Sequence, residues 1–195
     1  MTRAVGEPII RTRRWTRREY DRLIELGVLH EDEPIELLAG RLVVREPQRT
    51  PHAVATQLVA EALRAAFGAG WSVRVQLPLA LDEESEPEPD VAVVRGAPRD
   101  YLREHPSVPA LVVEVAHDSL RADRTLKVRL YARAAIADYW IVDLVDHVLE
   151  VHRSPTGPTR GRRAAYADVR RIPPSEAIAP LAAPAARIVV SDLLP

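Results

Sequence analysis

The sequence predicts a mixed α/β fold, and three observations carry that expectation. Val91–Val94 and Ala110–Ala116 are short runs, apolar but for Glu114, and read as strands covered on both faces. A segment of helical periodicity from Leu120 separates the second run from a third, Tyr139–Asp143. This strand, helix, strand order suits a sheet with a helix packed across it. The chain has 195 residues, 47% of them apolar, enough for one domain with a proper core. We take 1–195 as that domain, with 1–14 a loose N-terminal arm and 154–195 a less regular C-terminal segment.

Composition narrows the function. The absence of cysteine excludes disulfides and thiolate metal sites. No apolar run approaches the roughly 18 residues of a membrane span, and the N-terminus lacks the order of a signal peptide. A cytoplasmic protein with no membrane partner is expected. A net charge of −1 argues against indiscriminate nucleic-acid binding, but the charge is uneven. Arg11, Arg13, Arg14, Arg17 and Arg18 cluster near the start, and Arg160, Arg162, Arg163, Arg170 and Arg171 near the end. Asp82, Glu83, Glu84, Glu86, Glu88 and Asp90 crowd into nine residues. A basic rim around an acidic spot suits a metal-dependent enzyme acting on a phosphate backbone, and solvated surface is the plainer explanation of each cluster.

The elements follow in order. Thr16-Arg-Arg-Glu19 is a capping-box pattern that opens a helix to about Leu26, where Gly27 supplies the stop. Ile35–Val44 reads as a β-hairpin turning at Ala39-Gly40. Glu36 sits among its aliphatics, as an outward-facing strand carboxylate or as a site residue. Thr50-Pro51 begins a second helix to about Phe67, ended by Gly68 and Gly70. His52 lies in its first turn, as a surface histidine or a phosphate contact. Trp71–Leu81 alternates as a strand, and Pro78 within it implies an edge or a bend. The acidic loop Asp82–Pro89 then leads to Asp90, at the mouth of the Val91–Val94 strand. A polar connection over 96–109 precedes the Ala110–Ala116 strand. Tyr139–Asp143 pairs with Val148–His152 across a turn at 145–147. Beyond Ser154, proline, alanine and arginine accumulate, with Arg187–Val190 as a last strand. There is no internal repeat, heptad seam, G-x-G-x-x-G or Walker pattern.

Lys127 is the only lysine in the chain. At about 100° per residue, Leu126, Val128, Leu130, Tyr131, Ala134 and Ala135 fill one apolar arc, with Arg129 and Arg133 opposite. Lys127 falls near the middle of that arc, and Asp123 lies one turn before it. Ionised groups are almost never buried unpaired, because desolvation is expensive, so a polar site must lie beneath them. Glu114, between Val113 and Val115, poses the same problem. Adjacent strands lie about 4.8 Å apart, so Asp90 and Glu114 can meet on one divalent cation. Oxygen ligands without cysteine favour Mg²⁺, with Mn²⁺ as the alternative. Such an ion polarises a phosphoryl oxygen and acidifies a water. A nearby lysine orients that water or offsets charge in the transition state. Each residue also has a structural explanation. Asp90 can cap a turn, Glu114 can sit in a structural ion pair, and Asp123 and Lys127 are spaced for a helical salt bridge. Their joint occurrence favours one shared site.

At these residues the chain resembles the PD-(D/E)XK nuclease superfamily, and more narrowly its Uma-two branch of bacterial restriction endonucleases. The likeness runs through Trp15, Thr16, Glu19 and Tyr20, the Glu36-Leu-Leu-Ala-Gly40 hairpin and His52. It continues through Pro87-Glu-Pro-Asp-Val-Ala-Val-Val94, Glu114-Val115, Asp123, Lys127, Tyr131-Ala132 and Asp138-Tyr-Trp-Ile-Val-Asp143. It covers the chain from about residue 12 onward. The resemblance implies a restriction-endonuclease-like fold, a central mixed sheet flanked by helices. It implies a metal-dependent endonuclease hydrolysing DNA, with Mg²⁺ as cofactor, no organic cofactor, and a homodimer as the assembly. Asp90, Glu114, Lys127 and Glu36 become the catalytic set, and Asp90 and Glu114 the metal ligands. The superfamily's usual lysine position is here Ala116, and in this branch the following helix supplies the lysine. Asp138, Ala135 and His117 depart from the family's usual residues. His117 is an added ligand, a proton carrier or a solvent-facing side chain, and His52 and Asp123 are further auxiliary candidates. The alternatives are a catalytically silent module that binds DNA or a protein, and a hydrolase of RNA or nucleotide phosphoesters.

Overall fold

The computed structural model describes residues 12–30, 33–45, 47–159 and 161–195. Most of the expected N-terminal arm, residues 1–11, lies outside the described residues, as do Arg11 and Arg160 of the arginine clusters. Helix α1 (Arg17–Glu25) starts at its capping box. Thr16 Oγ1 accepts from Glu19 N–H, and Glu19 Oε2 accepts from Thr16 N–H at 2.9 Å. Tyr20 OH then donates to Ile35 O at 2.8 Å. That bond ties α1 to the hairpin of β1 (Ile35–Leu38) and β2 (Arg41–Val44). Ala39 and Gly40 turn the hairpin with φ of 50° and 77°, the left-handed pair of a two-residue turn. Gly40 is needed for space as well, since a Cβ there would lie 2.9 Å from Arg14 Cβ.

Helix α2 (Thr50–Phe67) has its predicted limits. The central sheet follows: β3 (Trp71–Val75), β4 (Val91–Arg95), β5 (Leu111–Ala116), β6 (Asp138–Asp143), β7 (Val148–Thr156) and β8 (Ala165–Ile172), adjacent in that order. Only β5 and β6 are parallel. The chain returns between them through α3 (Leu120–Ala122), a π-helical turn (Asp123–Lys127) and α4 (Val128–Arg133). β9 (Ala177–Ile178) and β10 (Ile188–Val189) make a small separate ladder.

Strand alternation divides the core between the two faces of the sheet. Leu111, Val113 and Val115 pack with Val91, Val93 and the α2 residues Ala55, Val59 and Leu63. Val112 and Ala116 pack on the other face with Ala92, Val94 and the α4 residues Leu130 and Tyr131. Glu114, between Val112 and Ala116 in the even-numbered row, shares that second face.

Three elements differ from the sequence reading. The Trp71–Leu81 strand ends at Val75, because Gln76 takes a left-handed φ of 51°; β3 is nevertheless the edge strand that Pro78 suggests. The helix from Leu120 is interrupted by its π-turn. The C-terminal segment supplies a full edge strand, β8, paired along β7 from Leu149↔Ile172 to Thr156↔Ala165. Only Tyr166 and Ile172 of β8 are buried, so its sequence has no clear alternation. Among the described residues, no helix is long and apolar enough to cross a membrane.

Candidate active site

β4 and β5 pair with Val91 opposite Val113. One step further along this register sets Asp90 opposite Glu114, on the same face of the sheet. Each carboxylate is anchored through one of its oxygens. Asp90 Oδ2 accepts from Val115 N–H at 2.8 Å and lies 3.1 Å from His52 Nε2. Glu114 Oε1 accepts from Tyr131 OH at 2.6 Å and forms an ion pair with Lys127 Nζ at 2.9 Å. The second oxygens are far less engaged. Asp90 Oδ1 has a 3.4 Å contact from Gln76 Nε2, and among the described residues no hydrogen bond reaches Glu114 Oε2.

Lys127 is the hub of the charges. Its Nζ also lies 3.8 Å from Asp123 Oδ1 and 3.9 Å from Glu36 Oε1. Glu36 comes from β1, and its Oε2 accepts from Glu88 N–H at 3.0 Å, which fixes the hairpin against the loop before β4. Asp123 Oδ2 accepts from Ser119 Oγ at 2.6 Å. Asp90, Glu114, Lys127, Glu36, Asp123, His52, Gln76, Glu88 and Ser119 line one cleft of about 960 Å³, walled by the hairpin, the start of α2 and the α3–π segment, with Tyr131 buried behind Glu114. His117 is at the rim, half-exposed, with Nδ1 2.8 Å from Asp118 Oδ1.

One ammonium serves four carboxylates here, and the proton affinities follow from that imbalance. Burial pushes the Glu114 carboxyl up to about 8 against the pull of Lys127, and Asp123, Asp90 and Glu36 add to the rise. Burial raises Asp123 as well. For Lys127, burial acts to lower the pKa, but Glu114, Glu36, Asp123 and Asp90 together outweigh it, so the ammonium persists far into the alkaline range. His52 is likewise depressed by burial and raised more strongly by Asp90. The cluster therefore holds an extra proton or accommodates an extra cation.

The chemistry of the donors fits a hard divalent cation. Anchoring one oxygen of each carboxylate orients the other, and surplus negative charge surrounds them. Among the described residues, no group of three acidic or histidine side chains is placed to hold a metal by itself. Mg²⁺ does not need one, since it commonly binds through one or two carboxylates and keeps several waters.

Residues 17–186 match the family Uma2, described as putative restriction endonuclease. The chain belongs to the Uma2 family. That membership places it among nucleases, enzymes acting on phosphodiester bonds. The fold is also that of a crystal structure of a putative nuclease belonging to DUF820 from Anabaena variabilis ATCC 29413. The TM-score is 0.67 at 15% identity, covering 88% of this chain and 96% of that one, a likeness of fold. No curated protein sequence matches the chain.

The structure brings Asp90, Glu114, Lys127, Glu36, Asp123 and His52 of this Uma2 chain together and leaves His117 at the margin. His52 is no surface histidine: α2 begins beside the mouth of β4, so its ring is largely buried against Asp90. Glu36 does not face outward but is 3% exposed. Ala116 is fully buried, and Lys127 reaches Glu114 from the helix instead. Sequence reasoning missed Tyr131, Gln76, Ser119 and the site position of Glu88. Tyr131 stands four residues after Lys127, a spacing that could have signalled it.

Among the described residues, the arginines of the two clusters do not line the cleft. Arg13 pairs with Glu19, Arg14 with Glu84 and Arg17 with Glu86. Arg170 pairs with Asp168, and Arg171 with Asp146 and Glu150. Opposite charges brought near by the fold take up these side chains. The cleft's own arginines are Arg45, Arg49 and Arg121.

Proposed function

We propose that this Uma2 chain is a Mg²⁺-dependent endonuclease that hydrolyses DNA phosphodiester bonds, with Mn²⁺ as a substitute ion. The observation that supports it most is the meeting of Asp90 and Glu114 with the only lysine, each carboxylate fixed through one oxygen and far less engaged at the other. Asp90 and Glu114 would hold the ion. Bound there, Mg²⁺ supplies Lewis-acid polarisation of the phosphate and lowers the pKa of a coordinated water. In the reaction a water oxygen adds to phosphorus, the P–O bond to the leaving sugar oxygen breaks, and protons pass from the water and to the leaving oxygen. Lys127 remains an ammonium and donates where negative charge accumulates on the phosphoryl group. Glu36 and Asp123 position that ammonium. Tyr131 and His52 hold the carboxylates in orientation, as outer-shell partners do.

Plasmid nicking tests the reading. Wild type and Lys127→Met are incubated with supercoiled plasmid and with single-stranded circular DNA in Mg²⁺, Mn²⁺ or EDTA, with a folded RNA in parallel. Cutting of at least one DNA form by wild type alone, abolished by EDTA, is expected. Equal nicking by both proteins, or cleavage of RNA in preference to DNA, would refute it.

A further inference from the structure

We propose that the cleft takes DNA as a single unpaired strand rather than as intact duplex. This rests on the nuclease reading above and names its substrate. The first ground is depth. The side chains of Glu36 and Glu114 are 3% exposed, and those of Asp90 and Lys127 13%. A scissile phosphate must therefore descend to the floor between the hairpin and the α3–π segment. In a duplex each phosphate is flanked by the paired strand across a groove only about 6 to 12 Å wide, which would meet those walls first. A cleft of about 960 Å³ lies at the upper end of small-ligand pockets, about 300–1,000 Å³, room for roughly two or three nucleotides of one strand.

The second ground is the chemistry of the walls. Val43 and Val44 of β2, Pro47, Pro51 and Leu126 line the cleft, and Val44 is 68% exposed. Apolar side chains have little to meet on the phosphate exterior of a duplex. An unpaired strand offers them the apolar faces of its bases, which a duplex keeps stacked inside.

Charge is the third ground. Proteins that track a duplex commonly neutralise about 6–10 phosphates. The cleft has three arginines, and two are engaged: Arg45 with Glu88 at 2.9 Å and Arg49 with Asp118 at 3.5 Å. That supply fits a short stretch of one backbone.

A labelled oligonucleotide presented as a single strand, as a perfect duplex, and as a duplex with a central unpaired bubble tests this, under single-turnover conditions in Mg²⁺. The single strand and the bubble should be cut about tenfold or more faster than the duplex, because a duplex must first be opened. Affinity for the single strand should fall with salt at a log–log slope no steeper than about −2, from three arginines at roughly −0.7 each. Val44→Glu, at an exposed position where folding is not at stake, should raise the single-strand KM several-fold with little change in kcat. Duplex cut as fast as single strand, a slope near −5, or an unmoved KM in Val44→Glu would each overturn the proposal. If no DNA is cut, the nuclease reading falls, and fluorescence anisotropy of the same oligonucleotides then decides the substrate: preferential single-strand binding supports the inference, and equal or duplex-favouring binding overturns it.

Discussion

Glu114→Gln should remove activity and, at alkaline pH, stabilise the metal-free protein. Glu114 is 2% exposed, and burial pushes its carboxyl up to about 8 from an ordinary value of 4.5. Between those two values the folded protein binds more protons than the unfolded chain, so stability falls as pH rises. The slope from this group approaches about 1.4 kcal/mol per pH unit where the two states differ by one proton. Glutamine cannot ionise, yet its Oε1 still accepts from Tyr131 OH, which lies 2.6 Å from Glu114 Oε1 in the wild type. The two proteins should therefore be similar in stability near pH 5 and diverge steadily toward pH 8, with the variant the more stable. Urea unfolding in EDTA at several pH values, followed by tryptophan fluorescence, measures the divergence. Mg²⁺ should close the gap from the wild-type side only, since a ligand stabilises the state that binds it. Parallel stability curves would refute the raised carboxyl. A variant less stable at pH 8 would mean that the Lys127–Glu114 attraction exceeds the cost of burying the charge.

Lys127→Met should reduce cleavage by about 10²-fold or more and destabilise the metal-free fold by about 3–5 kcal/mol, because it leaves buried carboxylates without their cation; the loss should be smaller at pH 5 than at pH 8, and single-turnover rates with thermal melts measure both. Tyr131→Phe deletes a buried donor to Glu114 and should cost about 1–3 kcal/mol by urea unfolding while weakening Mg²⁺ binding in calorimetry. His52 should titrate above its ordinary 6.5 in EDTA, so its pairing with Asp90 contributes stability below pH 6.5 that is lost as pH rises through the folded-state pKa. Imidazole NMR should show that midpoint move down on adding Mg²⁺, and an unmoved midpoint would count against Asp90 as a ligand. Gly40→Val should destabilise by about 1–3 kcal/mol, since φ is 77° and its Cβ would meet Arg14 Cβ at 2.9 Å; restored stability in a Gly40→Val/Arg14→Gly double variant would assign part of that loss to the contact.

Glu114 and Lys127 were legible in the sequence because each puts a charge where its neighbours are apolar, and burying a charge demands an explanation that a surface charge does not. Glu36 was ambiguous for the converse reason: a carboxylate in a short hairpin is unremarkable until the hairpin is known to close over the sheet. His52 needed the meeting of the α2 start with the mouth of β4, which periodicity cannot supply. Tyr131 has the side chain of a core residue and is one, so nothing in its type disclosed the hydroxyl bonded to Glu114. Proximity of the arginines along the chain does not make a common surface, because Glu84, Glu86, Asp146 and Glu150 take up Arg14, Arg17 and Arg171 separately. β8 was hidden because an edge strand with Arg170 and Arg171 on it buries too little to impose a pattern.

The π-turn is the least legible element, and it carries two of the site's side chains, Asp123 and Lys127. Asp123, Lys127 and Tyr131 are spaced by four residues, and in an α-helix each step of four overshoots a full turn by about 40°. Over two steps the first and third would diverge by about 80°. A π-turn has wider i→i+5 closure and turns less per residue. Placed over Asp123–Lys127, it takes back part of the overshoot. Asp123 Oδ1 lies 3.8 Å from Lys127 Nζ, and Lys127 and Tyr131 both reach Glu114 Oε1. The helical period that makes Lys127 conspicuous in the sequence is thus the one the chain locally abandons where Asp123 and Lys127 enter the site.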